Sequence, residues 1–198
     1  VEHVGSLDPV DITIIRDTID DPSVMVIDVP DTKYGRIRIS QFTAQTSREL
    51  RQGVQKLIDN GSEGIILDLR GNPGGLLSAT VDVASEFLTD GLVTYEVDSR
   101  GKKDEWKVKK GGNFPKIPMV TLVDNFSASG SEVLAGALQD QGRSVVIGTN
   151  TFGKGSVNLL RGLSNGGGVY LTIGHWFTPN GRLIEDVGVE PDVIVEFD

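Results

Sequence analysis

Residues Val123–Leu138, with the sequence VDNFSASGSEVLAGAL, contain a change from the spacing of a strand to the spacing of a helix. The apolar run Met119–Val123 at their start predicts a buried strand. From Val133 onward apolar residues recur at helical spacing, and Gly142 provides a residue at which this helix can end. The turn between strand and helix carries three hydroxyl side chains: Ser127, Ser129 and Ser131.

A serine at the start of a helix has two roles open to it. The first backbone N–H groups of a helix have no partner inside the helix, and the helix dipole favours negative charge there. The hydroxyl can therefore cap the helix, or it can act as a nucleophile beside N–H groups that stabilise an oxyanion. The local pattern favours the cap and leaves the nucleophile open.

The rest of the chain repeats the strand–turn–helix pattern. Gly64–Leu69 is almost entirely apolar, as expected for a strand buried on both faces, and the turn Arg70–Gly75 and a helical stripe over Leu76–Leu88 follow it. An earlier helix is predicted between Thr46 and Gly61. Strands that alternate with at least three helices predict an α/β fold, and no linker divides the chain. The other extended segments predicted are Val10–Ile14, Val24–Val29, Gly35–Phe42, Leu92–Val97, Asp104–Val108, Ser144–Ile147, Val157–Leu160, Val169–Ile173 and Val187–Val195.

The composition excludes several classes of function. The 198 residues carry a formal net charge of −9, which argues against nucleic acid and anionic membranes as partners. No apolar run approaches ~18 residues, so no membrane span is predicted. The lack of cysteine excludes thiolate catalysis and cysteine-ligated zinc. Only two histidines, His3 and His175, are present, so a histidine-rich metal site is excluded and a nucleophilic serine needs another candidate base.

The turn Arg70–Gly75 has a structural and a functional interpretation. Proline and glycine are common in tight turns, and this alone accounts for the pattern. A Gly-Gly pair also lets backbone N–H groups point into a site without an intervening side chain. A phosphate-binding loop is disfavoured, because the Gly-Lys-Ser/Thr ending is missing and the loop is too short.

Lys154 lies between two glycines, Gly153 and Gly155. Most lysines are solvated surface charges, and this is the simplest interpretation here. Flanking glycines, however, let the backbone bend closely around a site, and a lysine shielded from water there can act as a general base. Ser-Lys pairs are a known form of nucleophilic catalysis. With histidine scarce, a Ser-Lys dyad is the natural enzyme hypothesis.

Asp140 lies on the same face of the third predicted helix as Ser129. The two are separated by ~16 Å along the helix axis, so they cannot touch. A carboxylate in the last turn opposes the helix dipole. We therefore expect Asp140 to pair with an arginine, such as Arg143 or Arg70, and to give structural support.

Three segments of the chain resemble the C-terminal processing peptidases, or tail-specific proteases. They are Asp68–Leu77, Ser127–Glu132 and Gly153–Val157. Further matches cover the start and the end of the catalytic domain of that family. These lie at Tyr34–Phe42, Thr178–Arg182 and Gly188–Asp192, so the resemblance covers residues 10–198.

The resemblance implies a Ser-Lys serine endopeptidase of crotonase/ClpP-like fold. Ser129 would be the nucleophile, Lys154 the general base, and the N–H groups of Gly75 and Gly130 the oxyanion hole. The base must be neutral, so we expect a dry or partly closed site. Four residues after the lysine the family usually has a glutamine that helps hold the ammonium group. Asn158 stands there in this chain, one methylene shorter, which puts that role in doubt.

The resemblance also implies a PDZ domain before Val24, for which residues 1–23 leave no room. We expect residues 1–23 to be an N-terminal stub and residues 24–198 to be the catalytic domain, with the PDZ domain either naturally missing or removed. Asp140 and Arg70 are expected to support the site structurally, and no metal or cofactor is expected.

The expected partners are proteins or peptides with apolar C-terminal tails, and a homo-oligomer is a further expectation. The family works in the periplasm, cell envelope or thylakoid lumen, so an extracytoplasmic location is implied. Two alternatives stay open: a catalytically silent domain that binds peptides or apolar ligands, and a crotonase-type acyl-CoA enzyme.

Overall fold

The computed structural model describes residues 12–13, 15 and 21–196. The strand predicted at Val10–Ile14 and most of the predicted segment 1–23 lie outside the described residues. In chain order the elements are β1 (Val24–Asp28), β2 (Tyr34–Ile39), α1 (Thr46–Asp59), β3 (Gly64–Asp68), α2 (Leu77–Phe87), β4 (Leu92–Asp98), β5 (Lys103–Lys107), β6 (Met119–Val123), α3 (Gly130–Asp140), β7 (Val145–Gly148), β8 (Ser156–Gly162), β9 (Gly168–Phe177) and β10 (Val193–Ile194).

The larger of two sheets has the strand order β1-β2-β3-β6-β7-β10. Only β1 is antiparallel to its neighbour, and the other five strands run parallel to one another. The carboxyl ends of parallel strands meet at one edge of a sheet, which is where α/β proteins commonly bind ligands. The turn after β3 and the turn after β6 therefore lie close together at this edge. The predicted α/β fold is confirmed.

The three helices connect successive parallel strands and pack against one another in the order α1, α2, α3. The first nine residues of α3 are all buried, so this helix lies in the core. It begins at Gly130, three residues before the first apolar residue of the predicted stripe. Gly142 follows it in the left-handed conformation, with the Gly142 and Arg143 N–H groups donating to the carbonyls of Gln139 and Leu138. The predicted helix end is thus confirmed as a glycine-terminated cap.

A smaller antiparallel sheet has the order β5-β4-β9-β8. The extended segments predicted at Leu92–Val97 and Asp104–Val108 are confirmed as β4 and β5, which pair antiparallel as a hairpin. This sheet packs on the core through Trp176. The rings of Trp176 and Trp106 pack edge to face, with their centroids 4.9 Å apart. Strand β8 begins two residues after Lys154, so this sheet forms one wall of the region around that lysine. Within the described ranges, no helix is long and apolar enough to cross a membrane.

Candidate active site

Ser129 is the N-cap residue of α3 and has a strained backbone. Its φ of 55° and ψ of −112° lie in a region that residues with a side chain rarely adopt, at a cost of about 1–3 kcal/mol. Such strain persists only where the surrounding structure imposes it, and it is common at functional sites. The conformation sets Ser129 apart from the two other serines of the turn.

The hydroxyls of Ser127 and Ser131 are fully buried and already engaged. Ser127 Oγ donates to the carbonyl oxygen of Leu69 at 2.9 Å, and Ser131 Oγ donates to that of Asn72 at 2.9 Å. Both bonds tie the start of α3 to the turn after β3. Ser129 is only half-buried and is the one of the three serines that lines a cavity. Geometry therefore separates three hydroxyls that the sequence pattern leaves equivalent.

The cavity beside Ser129 has a volume of about 290 Å³. It is bounded by the start of α3, the turn after β3, the loop before β8, and residues of strands β8 and β9 in the small sheet. Five residues predicted for the site line it together: Gly75, Ser129, Gly130, Lys154 and Asn158. Arg70 and Asp140, predicted as structural support, are not among its lining residues.

The turn after β3 needs glycine at two consecutive positions. Gly75 has a φ of 146°, and a Cβ there would collide with the carbonyl oxygen of Phe42. Gly74 has a φ of 103°, and a Cβ there would lie 2.8 Å from the carbonyl oxygen of Ala128 and from Ser129 Cβ. The turn thus packs directly against the backbone that carries Ser129.

Two backbone N–H groups at the cavity have no acceptor in the part of the chain that the structure describes. Among the described residues, neither the Gly75 nor the Gly130 N–H donates a hydrogen bond, and both residues line the cavity. One group follows Ser129 at the N-terminus of α3, where the helix dipole favours negative charge. A pair of preorganised donors beside a nucleophile is the arrangement that stabilises an oxyanion.

Lys154 lines the same cavity, but its side chain is exposed. No hydrogen bond joins Lys154 Nζ to Ser129 Oγ in the described part of the chain. The expectation of a lysine shielded from water was therefore wrong. The flanking glycines are buried instead. They pack so closely against the backbone of residues 184–186 that a Cβ on Gly153 or Gly155 would collide with it. These glycines allow the loop to pack, and they leave the lysine side chain outside.

Among the described residues, Asn158 makes its hydrogen bonds to Ser156 and Thr172 and none to Lys154. Its Nδ2 donates to the carbonyl and the Oγ of Ser156 at 3.3 and 3.0 Å, and its Oδ1 accepts from Thr172 Oγ1 at 2.9 Å. The amide therefore joins β8 to β9 on the cavity side. A role in holding the lysine ammonium group, as the family's glutamine does, stays a prediction.

Glu132 is a central residue of the site that the sequence pattern did not single out. Its side chain is fully buried and accepts four hydrogen bonds. Oε2 accepts from the N–H groups of Ser129 and Lys154, both at 2.8 Å. Oε1 accepts from Thr151 Oγ1 at 2.7 Å and from the Gly153 N–H at 2.6 Å. One carboxylate thus fixes the backbone of both candidate catalytic residues.

Asn72 is a second such residue. It is fully buried, and its Nδ2 donates to the carbonyl of Ile39 while its Oδ1 accepts from the Gly74 N–H. Its own carbonyl accepts from the Ala128 N–H and from Ser131 Oγ. Asn72 thereby holds the glycine turn against both β2 and the residue before Ser129.

A sequence profile of peptidase family S41 matches residues 33–195, which is most of the chain. The chain belongs to peptidase family S41. The resemblance drawn from the motifs is thus confirmed at the level of the family.

Relatives of this S41 chain are found in bacteria and in chloroplasts. The "Carboxyl-terminal-processing protease" of Synechocystis sp. is 40% identical over 167 residues, which are 84% of this chain and 39% of the relative. "Carboxyl-terminal-processing peptidase 3, chloroplastic" of Arabidopsis thaliana is 35% identical over 162 residues, which are 81% and 31% of the two chains. A solved structure of a photosystem II D1 C-terminal processing protease is 33% identical, with a TM-score of 0.82 over 91% of this chain and 50% of that one. The chain therefore spans half or less of the length of these relatives.

Arg70 and Asp140, the two residues of this S41 chain expected to give structural support, each form an ion pair. Arg70 Nε and Nη2 donate to the two oxygens of the buried Asp68 at 2.8 and 2.7 Å. Asp140 pairs with Arg182 and also accepts from the Asn180 N–H at 2.8 Å. The expected partner of Asp140, Arg143 or Arg70, was therefore wrong. Arg143 instead donates to the carbonyls of Phe87, Phe114 and Ile117.

Acid is expected to destabilise the fold through Asp68 and Glu86. Burial alone would raise the pKa of Asp68, but the hydrogen bonds and charge of Arg70 outweigh it and lower the pKa. Burial would likewise raise the pKa of Glu86, which Arg51 and Asn113 lower instead. Because both folded-state pKa values lie below those of the unfolded chain, the stabilisation is complete above about pH 5. It is lost as the pH falls below about 4 through the folded-state values.

The free energy of unfolding in urea, measured from pH 7 to strong acid, checks this. Asp68→Asn should be less stable than the parent at neutral pH and should lose less stability in acid. A parent whose free energy of unfolding stays constant from about pH 5 to about pH 3 would contradict the assignment.

Glu132→Gln should impair the site and the fold together. The amide replaces one oxygen with a donor that faces N–H groups, so buried donors lose their acceptor and stability falls by about 3 kcal/mol. Misplacement of the Ser129 and Lys154 backbones should lower peptidase activity by about 100-fold. Chemical unfolding and activity per folded molecule measure the two effects.

Glu105→Gln, the same change at an exposed carboxylate, should alter stability by less than about 0.5 kcal/mol. Equal effects of both variants would contradict the role of Glu132.

Proposed function

We propose that this chain is the catalytic region of a serine endopeptidase that cleaves polypeptides at or near their C-terminal tails. One observation carries the proposal: a strained serine at a helix N-terminus shares a cavity with two unengaged N–H groups and a lysine. In this proposal Ser129 is the nucleophile and Lys154 the general base. The names of the curated relatives support the reaction class.

The proposed reaction proceeds through an acyl-enzyme. Ser129 Oγ attacks the scissile carbonyl carbon while Lys154 Nζ accepts the hydroxyl proton. The oxyanion that forms accepts hydrogen bonds from the Gly75 and Gly130 N–H groups. Lys154 then gives its proton to the departing amine, and a water molecule hydrolyses the ester by the same path in reverse.

The proposal requires a movement of the Lys154 side chain. Its backbone is fixed by Glu132, while its side chain is exposed and has four rotatable bonds. In this proposal, rotation about these bonds brings Nζ to Ser129 Oγ while the loop stays in place. A bound polypeptide that covers the cavity would exclude water and favour the neutral amine that the mechanism needs.

The substrates and the location belong to the same proposal. The substrates are proteins or peptides whose tails are apolar, and the site of action lies outside the cytoplasm, in the periplasm or cell envelope of a bacterium or in the thylakoid lumen. The presence of bacterial and chloroplast proteins among the relatives supports this range. A homo-oligomer and the division into an N-terminal segment 1–23 and a catalytic domain 24–198 remain predictions.

A second function, the binding of apolar peptides without cleavage, is favoured by one observation. Lys154 is exposed and makes no hydrogen bond to Ser129 in the described residues. A site that held its lysine away from the serine permanently would bind peptides and not cut them.

Labelling with a fluorophosphonate tests the proposal. A nucleophilic Ser129 should form a stable adduct, detected by mass spectrometry on the peptide that contains residues 127–132. The parent should also cleave an unfolded protein with an apolar C-terminus. A chain that binds this protein but neither reacts with the probe nor cleaves it would favour the second function.

A further inference from the structure

A second cavity, with a volume of about 800 Å³, lies at the carboxyl edge of the large sheet. It is lined by Arg38, near the end of β2, and by the first residues of the loops that follow β3, β6 and β7. It shares no lining residue with the cavity beside Ser129, so the two cavities are separate. Ligands of α/β proteins commonly bind at this edge, in cavities of about 300–1,000 Å³.

The same three loops run from the second cavity to the catalytic one. The turn after β3 leads to Gly75, the loop after β6 leads to Ser129, and the loop after β7 leads to Lys154. Phe126, which lines the second cavity, is three residues before Ser129, so their Cα atoms are at most ~11 Å apart. Each loop therefore contributes its first residues to one cavity and its later residues to the other.

Among the described residues, no carboxylate forms an ion pair with Arg38. Its side chain lies on the face of β2 opposite the buried isoleucines of that strand. Nε is buried and has no hydrogen-bond partner in the described part of the chain, and Nη2 makes one long bond, of 3.4 Å, to the carbonyl of Arg70. By contrast, Arg36 and Arg70 both pair with Asp68. A guanidinium group without a carboxylate partner is suited to bind a carboxylate from a ligand.

The charges around the second cavity favour a ligand with a single negative charge. Three guanidinium groups act on the buried carboxylate of Asp68. They belong to Arg36, Arg38 and Arg70. Asp124 is a second carboxylate, and its Oδ1 already accepts three hydrogen bonds from the surrounding loops. One positive charge is left in excess, which a carboxylate neutralises, whereas a phosphate monoester brings a charge of about −1.5 to −2 close to Asp124.

The remaining lining combines polar groups with an aromatic ring. The Asn125 amide and the Thr149 hydroxyl make no hydrogen bond to a described residue, so both are available to a ligand. Phe126 is 66% exposed, although its ring is large and apolar. An exposed ring beside an unpaired cation suits a ligand that has an apolar group next to its carboxylate.

We infer that the second cavity binds a ligand with one carboxylate and an adjacent apolar group, and that this ligand acts on catalysis through the three loops. The carboxylate accepts hydrogen bonds from Arg38, and the apolar group packs on Phe126. A free organic acid and the C-terminus of a peptide share this chemistry. The action on catalysis rests on the proposed function, whereas the binding site does not.

The action on catalysis follows from what the ligand touches. A ligand held by Arg38 and Phe126 ties β2 to the loop that carries Ser129, and a contact with Thr149 adds the loop that carries Lys154. The proposed reaction needs these two loops in a fixed relative position. A ligand that orders both loops lowers the entropic cost of bringing the catalytic pair together, so it should accelerate the reaction of Ser129.

Binding to the Ser129→Ala chain tests the site without any need for cleavage. The probes are 3-phenylpropionate and N-acetyl-alanyl-alanyl-phenylalanine, each as the free acid and as the carboxamide, titrated by calorimetry. The acid should bind at least about tenfold more tightly than its amide. A preference for the acid in the smaller probe assigns the site to free organic acids, and a preference in the peptide alone assigns it to peptide C-termini. Equal affinities of acid and amide for both probes would overturn the inference.

A matched pair of variants tests whether the acid binds at Arg38. Arg36 and Arg38 lie on the same face of β2 and each has a buried Nε without a described partner, but only Arg38 lines the cavity. Arg38→Met should abolish the preference for the acid, and Arg36→Met should change the affinity for the acid by less than about threefold. A preference that survives in Arg38→Met, or that both variants lose equally, would overturn the site.

Phe126→Ala provides a variant at an exposed side chain, where loss of the fold is not expected. It should weaken binding of the acid and of the amide alike, by at least about threefold, because both have the same apolar group. Unchanged affinities would overturn the assignment of the apolar group to Phe126.

The rate at which fluorophosphonate labels Ser129 in the parent tests the action on catalysis. A saturating concentration of the acid should raise this rate at least about fivefold, the amide should not, and Arg38→Met should abolish the effect. A rate that does not change, although the acid binds through Arg38, would overturn the action on catalysis. If the parent is not labelled at all, yet the Ser129→Ala chain binds the acid through Arg38, the proposed catalysis fails and the binding site stands.

Discussion

Ser129→Ala is expected to reduce cleavage of an unfolded protein by about 10⁴-fold or more. The variant loses the nucleophile, and the oxyanion donors Gly75 and Gly130 have no tetrahedral intermediate to stabilise. Rates of substrate cleavage at fixed enzyme concentration, followed by gel or mass spectrometry, measure the loss. The fold should be retained, because Ser129 is only half-buried and alanine keeps the backbone N–H that donates to Glu132.

Ser127→Ala and Ser131→Ala are the matched controls. Each variant also removes one serine hydroxyl from this turn. The hydroxyl of Ser127 is engaged by the carbonyl of Leu69, and that of Ser131 by the carbonyl of Asn72. Each should lower the free energy of unfolding by about 1–2 kcal/mol and leave measurable activity. An inactive Ser131→Ala beside an active Ser129→Ala would show that the nucleophile is assigned wrongly.

Lys154→Arg is expected to reduce cleavage by about 10³-fold or more, because a guanidinium group stays protonated and cannot accept the serine proton. Lys154→Met should be equally inactive, since it has no basic nitrogen. Both variants should differ from the parent in stability by less than about 0.5 kcal/mol, because the Lys154 side chain is exposed. Lys110→Arg, at another exposed lysine, should keep full activity.

The pH dependence of the parent provides a second measurement of the same role. A general base accepts the serine proton only in its uncharged form, so cleavage in alkaline buffer should be faster than in acid buffer. A flat profile, or full activity in Lys154→Arg, would remove Lys154 as the base. His175 would then be the next candidate, because it lies opposite Ser156 at the start of β8.

Periodicity was enough to predict the α/β fold, because buried parallel strands and helical stripes have distinct spacings. The choice among three serines could not be made in this way. The hydroxyls of Ser127 and Ser131 donate hydrogen bonds to carbonyls 58 and 59 positions earlier in the chain. No local sequence pattern indicates such distant partners. Only the motif resemblance pointed to Ser129.

Glu132 could have been recognised from its position three residues after Ser129. A serine followed at this distance by a glutamate is the pattern of a capping box, in which the carboxylate reaches back to the first N–H of the helix. Its other bonds, to the loop at Thr151–Lys154, depend on tertiary structure and could not be predicted. The same holds for Asp140, whose partner Arg182 is 42 positions away.

The loop that carries Lys154 has a consequence for synthesis of the protein. This loop is held by residues that come later in the chain: the Asp186 N–H donates to the Gly153 carbonyl at 2.9 Å, and the Val189 N–H donates to Thr151 Oγ1 at 2.7 Å. A chain still emerging from the ribosome therefore contains Ser129 before it can fix the loop of Lys154, the proposed base. Under the proposed mechanism, cleavage has to wait until residues 186–189 have been synthesised and have bonded to this loop, which would keep the unfinished chain from cutting itself.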